Sequence, residues 1–137
     1  MMPAIATTAA MALAAASQPA GSIEGHWLNP QRTVLIRLAP CGEAMCGTVT
    51  WAAKRAQQAA QKGADELVGA RLLSGFRQNR NGQWKGKVFV PDLDLRVGGK
   101  IQVIDESRLK VSGCVLGGMM CRSQVWTRSD GPGSAQD

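Results

Sequence analysis

Leu109-Lys110-Val111-Ser112-Gly113-Cys114-Val115-Leu116-Gly117-Gly118-Met119-Met120-Cys121-Arg122-Ser123-Gln124-Val125-Trp126 carries two strand-like runs on either side of a glycine-containing turn, with a cysteine closing each run. Placing Cys114 opposite Cys121 puts Leu109 opposite Trp126 and Ser112 opposite Ser123, as the two-residue period of paired strands requires. It also puts Val111 opposite Gln124. That mismatch marks either a bulge hidden in the spacing or a polar side chain turned inward.

The same device occurs earlier, where Thr33-Val34-Leu35-Ile36-Arg37-Leu38 and Gly47-Thr48-Val49-Thr50-Trp51 flank Cys41 and Cys46. With Cys41 opposite Cys46, Leu38 faces Val49, Arg37 faces Thr50 and Ile36 faces Trp51, and every pair matches in polarity. At a non-hydrogen-bonded antiparallel position the Cα atoms lie about 4.5 Å apart, the short end of disulfide geometry. An even cysteine count in an exported chain favours two within-pair disulfides. A four-thiolate zinc site is the rival reading, although neither pair has the Cys-x-x-Cys spacing that wraps a loop around one metal.

Further strand-like runs read at Ile23 to Leu28, Ala70 to Arg77, Gln83 to Val90, Leu93 to Val97 and Lys100 to Ile104. Asn79-Arg80-Asn81-Gly82 and Gly98-Gly99 read as turns, the first through its Asn-Gly signal. Lys54 to Lys62 has high helix propensity and no β-branched residue, and Gly63 can end it. The expected fold is therefore all-β: a small antiparallel barrel of about eight strands with one short helix or helical loop, since closure removes exposed strand edges.

The chain has 137 residues, enough for one domain, and a net charge of +6. Residues 1–20 hold no charged side chain and read as a signal peptide, cut near Ala16 or Ala20. The segment is too short and too alanine-rich for a membrane span. A single barrel domain over residues 21–128 and a disordered tail over 129–137 complete the expected organisation, in the periplasm or outside the cell. Arg71, Arg77, Arg80, Lys85 and Lys87 form a basic run free of acidic residues. Such a run either keeps the protein soluble or docks on an anionic envelope component.

Gly25-His26-Trp27-Leu28-Asn29-Pro30, Cys41-Gly42 with Cys46-Gly47, Trp51, Leu72-Leu73-Ser74-Gly75-Phe76, Trp84-Lys85-Gly86, and Gly113-Cys114 with Gln124-Val125-Trp126-Thr127-Arg128 together resemble a bacterial exported family, domain of unknown function 2147. The resemblance runs from Gly25 to Arg128. It implies a lipocalin-like barrel with an open mouth and a small-molecule ligand, and no established reaction. Two loops depart from the family pattern: the Ala/Gln-rich Lys54 to Lys62 stands where the family has an Asp/Asn-rich loop, and Pro91-Asp92-Leu93-Asp94-Leu95-Arg96 replaces a Pro-x-x-Gly-Lys-x-Tyr turn. Gly25, Trp27 and Arg128 resemble the lipocalin closure, in which an arginine of the last strand stacks on a tryptophan of the first, a contact worth about 0.5–2 kcal/mol.

No catalytic constellation is legible. His26 is the lone histidine, no Gly-x-Ser-x-Gly elbow occurs, and no cofactor or metal motif is present. Asp92 and Asp94 would share a strand face, where solvated carboxylates are the ordinary outcome. Specific nucleic-acid reading is not expected, because the aromatic residues suit core positions. The leading expectation is a non-enzymatic barrel that binds a small amphipathic or anionic ligand, lined by Trp51, Trp84, Gln124 and Trp126. The alternative is an envelope interaction protein that docks on anionic glycan or a partner protein through its basic face.

Overall fold

The computed structural model describes residues 23–115 and 119–129. The expected signal segment and all of the expected tail but Ser129 lie outside the described residues. Eight antiparallel strands close into a barrel in sequence order: β1 Gly25–Leu28, β2 Val34–Cys41, β3 Ala44–Ala52, β4 Arg71–Gln78, β5 Trp84–Val90, β6 Leu95–Asp105, β7 Arg108–Val115 and β8 Met120–Arg128. One helix, α1 (Lys54–Ala59), continues into a 3-10 turn at Ala60–Lys62 that Gly63 caps. A second 3-10 turn at Pro91–Leu93 joins β5 to β6.

Alternation along the strands separates an inner from an outer face. Trp27, Ile36, Leu38, Val49, Phe76, Ile101 and Leu109 fill the middle of the barrel and are almost wholly buried. In such an interior each fully buried aliphatic or aromatic side chain contributes roughly 1.5–3 kcal/mol. Three glycines fit this wall. Gly86, Gly99 and Gly113 are direct cross-strand neighbours on β5, β6 and β7. A Cβ on Gly86 would lie 2.7 Å from the Phe76 ring, and one on Gly113 would lie 3.2 Å from Val97 Cγ2. The row lets the backbone approach side chains closely where the barrel wall curves.

The β7–β8 hairpin has the expected register, with Leu109 opposite Trp126, Val111 opposite Gln124 and Cys114 opposite Cys121, and no bulge. The β2–β3 hairpin differs. Gly42, at φ +73°, makes a two-residue turn with Glu43, so Cys41 pairs with Ala44 and Cys46 with Ala39. The expected register is shifted by two residues, which keeps both cysteines on one face with their Cα atoms 5.8 Å apart. Both disulfides, Cys41–Cys46 and Cys114–Cys121, are formed and no described cysteine is free, so the four-thiolate zinc reading is set aside.

Two more expectations are corrected. Gly98-Gly99 lies inside β6 and makes no turn: Gly98 pairs with Lys87 and Cys114, and Gly99 with Gly86 and Gly113. Asp92 and Asp94 do not share a strand face, because the chain is a 3-10 turn there and Asp94 sits at φ +50° in the left-handed region.

A polar knot shapes the β1–β2 connection. Asn29 is buried, and its Oδ1 accepts the backbone N–H groups of Thr33 (2.8 Å) and Val34 (2.9 Å) while its Nδ2 donates to Thr33 Oγ1 (3.0 Å). Removing that acceptor strands two buried donors, so Asn29→Ala is expected to lower unfolding free energy by about 2 kcal/mol. Asn29→Asp, which keeps the oxygen, should lose less. Urea midpoints of the two variants check this, and a loss for Asn29→Ala below about 0.5 kcal/mol would contradict it.

Candidate functional site

An up-and-down barrel places alternate connections at the same end. The β1–β2, β3–β4, β5–β6 and β7–β8 connections therefore share one rim. The long β3–β4 connection folds inward there, burying Ala60 and Leu67 in the core together with Ala52 and Val34. It also reaches the β5–β6 turn, where a Cβ on Gly63 would lie 2.7 Å from the Pro91 carbonyl oxygen. This segment plugs the rim on the side of β2 to β4.

On the side of β5 to β8 the rim is open. Strand parity puts Val97 and Leu95 on the face of buried Ile101, and Gln124, Arg122 and Met120 on the face of buried Trp126. These are inward positions, yet Leu95 is 40% and Met120 54% exposed, and Arg122 and Gln124 are exposed as well. The cause is the shortness of β1: among the described residues β8 pairs with β1 only at Trp27–Arg128 and Leu28–Thr127. The rest of β8 extends beyond the β1–β2 turn. Val88, Val90, Val97, Val111 and Val115 are half-buried along the same inner surface.

An open concavity of ≈ 670 Å³ overlies β6 at Gly98 and Gly99, with the outward-facing Lys85, Arg96, Lys100 and Cys114 in its lining beside Leu95 and Val97, so it opens on the outer surface as well as toward the rim. Nearer the middle of the barrel, Trp84, Ile101, Val111 and Gln124 form one transverse inner row. The Gln124 Oε1 accepts the indole N–H of Trp126 at 3.2 Å. The indole N–H of Trp84 is buried and has no acceptor among the described residues.

Three of the four residues expected to line a cavity thus face the interior: Trp84, Gln124 and Trp126. Trp51 does not. A bulge where Leu35 pairs with Trp51 but Ile36 with Val49 turns its ring to the outer face, against Leu28 and Leu35. Sequence reasoning missed Arg122, although its place two residues before Gln124 on an alternating strand put it on the same face. It also missed Leu95 and Met120, because the extent of the open side depends on where β1 ends.

The basic run divides. Arg77 lies opposite Lys85 on the outer face, and Lys87 lies opposite Gly98 two positions further along β5. Arg71 and Arg80 are separated by the length of β4, with Arg71 at its start and Arg80 in the turn beyond its end.

Arg128 stacks over Trp27 at 4.3 Å from the ring centre. It donates to the Glu24 carbonyl (2.9 Å) and the Glu106 carbonyl (2.8 Å), tying the residue before β1 and the end of β8 to the β6–β7 turn. In that turn the Arg108 guanidinium, at 2.7 Å, and the Ser107 N–H, at 2.9 Å, hold the Asp105 carboxyl below its ordinary range. Asp105 is an exposed turn residue whose carboxylate holds the β6–β7 turn together. His26 is half-buried on β1 opposite Arg37. Among the described residues no group of three His, Cys, Asp or Glu side chains is placed to hold a metal ion, and no helix is long and apolar enough to cross a membrane.

Comparison with family models matches residues 25–128 to the family described as "Uncharacterized protein conserved in bacteria (DUF2147)". No curated protein and no solved structure matches the chain.

Proposed function

The chain belongs to the DUF2147 family of bacterial proteins through a segment that runs from β1 to the end of β8, and on that premise we propose that it is an exported, non-enzymatic barrel that holds a small amphipathic anion in its half-open mouth. The observation that carries this reading is the exposed inner face of β5 to β8. Leu95, Val97, Val115 and Met120 offer an apolar wall, and Arg122 and Gln124 bring a guanidinium and an amide to the same surface. An apolar tail would lie along the valines, with its anionic head on Arg122 in a charge-assisted hydrogen bond. The unmatched indole N–H of Trp84 is a further donor for a polar atom of the ligand. Export is supported by the two disulfides, which form and persist in oxidising compartments, and by the uncharged segment at residues 1–20.

The test is titration with decanoate, read through tryptophan fluorescence. Saturable binding is expected, and Arg122→Gln should weaken it about tenfold or more, the worth of one hydrogen bond to a charged group. Decanol, which has the tail without the charge, should bind both proteins alike. Absence of saturation in the unaltered protein, or equal decanoate affinity in the two, would refute the reading.

A further inference from the structure

We infer that the outer face of β4 to β6 is a second site, separate from the mouth, that docks an acidic polysaccharide. Arg77 is directly opposite Lys85, and Lys85 is directly opposite Lys100, so three cations stand side by side across three adjacent strands. Neighbouring strands lie about 4.8 Å apart. Lys87 adds a fourth cation on the same face of β5, two residues from Lys85. Like charges placed directly opposite one another destabilise a sheet. Only the edge of this row is offset: Glu43 meets Arg77 at 3.6 Å, with both side chains largely exposed. Among the described residues Lys85, Lys87 and Lys100 make no ion pair.

The arrangement selects among anionic partners. The cations are spread in a row and do not converge on one point, which suits a chain of repeated single charges better than one phosphate group. No open aromatic ring accompanies them: Trp84 faces inward, and the Phe89 ring is covered by Arg96 at 4.4 Å. A single-stranded nucleic acid would therefore find charge without a stacking platform. Of the exposed large apolar side chains only Ile104 shares this face of β4 to β6, four residues along the strand from Lys100, so a bilayer would meet the cations with little apolar surface beside them. Gly98, between Lys87 and Cys114, leaves open space above the sheet in which a polymer can approach the backbone.

The experiment measures binding of polygalacturonate to the disulfide-bonded protein as a function of salt. The triple variant Lys85→Gln, Lys87→Gln, Lys100→Gln should bind about tenfold or more weakly, with a shallower salt dependence, because fewer counterions are released. A control triple, Lys54→Gln, Arg55→Gln, Lys62→Gln, removes the same charge from α1 and the turn after it and should bind as the unaltered protein does. Circular dichroism and urea denaturation establish that each variant is folded. Equal loss in the two triples would reduce the effect to net charge and overturn the site. Tighter row-dependent binding to phosphatidylglycerol vesicles or to a single-stranded oligonucleotide would overturn the assignment of a polysaccharide. No binding of polygalacturonate at low salt would overturn both.

Discussion

Gly99→Val is expected to lower the free energy of unfolding by about 3 kcal/mol or more, at the severe end of overpacking, whereas Gly98→Val, one residue away, should leave it unchanged or raise it by up to about 1 kcal/mol. The contrast comes from strand alternation. A Cβ on Gly99 points inward, where it overlaps Val88 Cγ2 and lies 2.8 Å from the Ser112 carbonyl oxygen. The backbone oxygen cannot rotate away, so relief requires moving β7 relative to β6. A Cβ on Gly98 points outward and meets nothing within 4 Å. Neither residue has the positive φ that would penalise any side chain. Urea denaturation followed by tryptophan fluorescence gives both values. Similar losses at the two positions would mean that Gly98-Gly99 is a turn, as the sequence suggests, and that β6 is broken there.

Trp27→Ala should cost about 3–5 kcal/mol, the range for emptying a large aromatic site in a core. Trp27 is 1% exposed, its indole N–H donates to the Ile23 carbonyl at 3.0 Å, and its other face lies under the Arg128 guanidinium. The substitution leaves a cavity and also removes the platform for Arg128, at the place where β1 and β8 join through only two residue pairs. Arg128→Lys should cost less, about 1–2 kcal/mol, because an ammonium keeps the charge but cannot fork to Glu24 and Glu106 while stacked on the ring. Hydrogen exchange should quicken in β1 and the end of β8 before it does in β6 and β7. If Trp27→Ala cost no more than Arg128→Lys, the tryptophan would not be part of the closure. Gly25 belongs to the same device: its φ is +138°, and a Cβ there would lie 2.6 Å from Arg128 Nη1, so only glycine leaves room for the guanidinium.

The paired hairpins show how far local signals reach. Leu109 to Trp126 gave its own register because alternation, a cysteine at each inner end and equal strand lengths agree, and the Val111–Gln124 mismatch was a true sign of a polar group on the inner face. Thr33 to Trp51 carries the same signals but leaves the turn length open. Gly42 could close a turn of two residues or belong to a loop of four, and cysteines in either register lie close enough to bond. Alternation could not detect the bulge that moved Trp51 outward, since a valine and a tryptophan are both acceptable inside.

By itself the sequence determined the all-β meander, the strand-forming segments on either side of the Asn-Gly turn, the cysteine pairing and the helical connection, each of which rests on spacing along the chain. The partnership of Trp27 with Arg128 came from the resemblance to the lipocalin closure. Only the tertiary structure decided that Gly98-Gly99 is strand, that Lys100 completes a row with Arg77 and Lys85, and that the inner face of β5 to β8 stands open. Those facts depend on how strands far apart in sequence are registered, on where β1 stops beside β8, and on which side chains need the space a glycine leaves. Such relations arise only when the barrel closes.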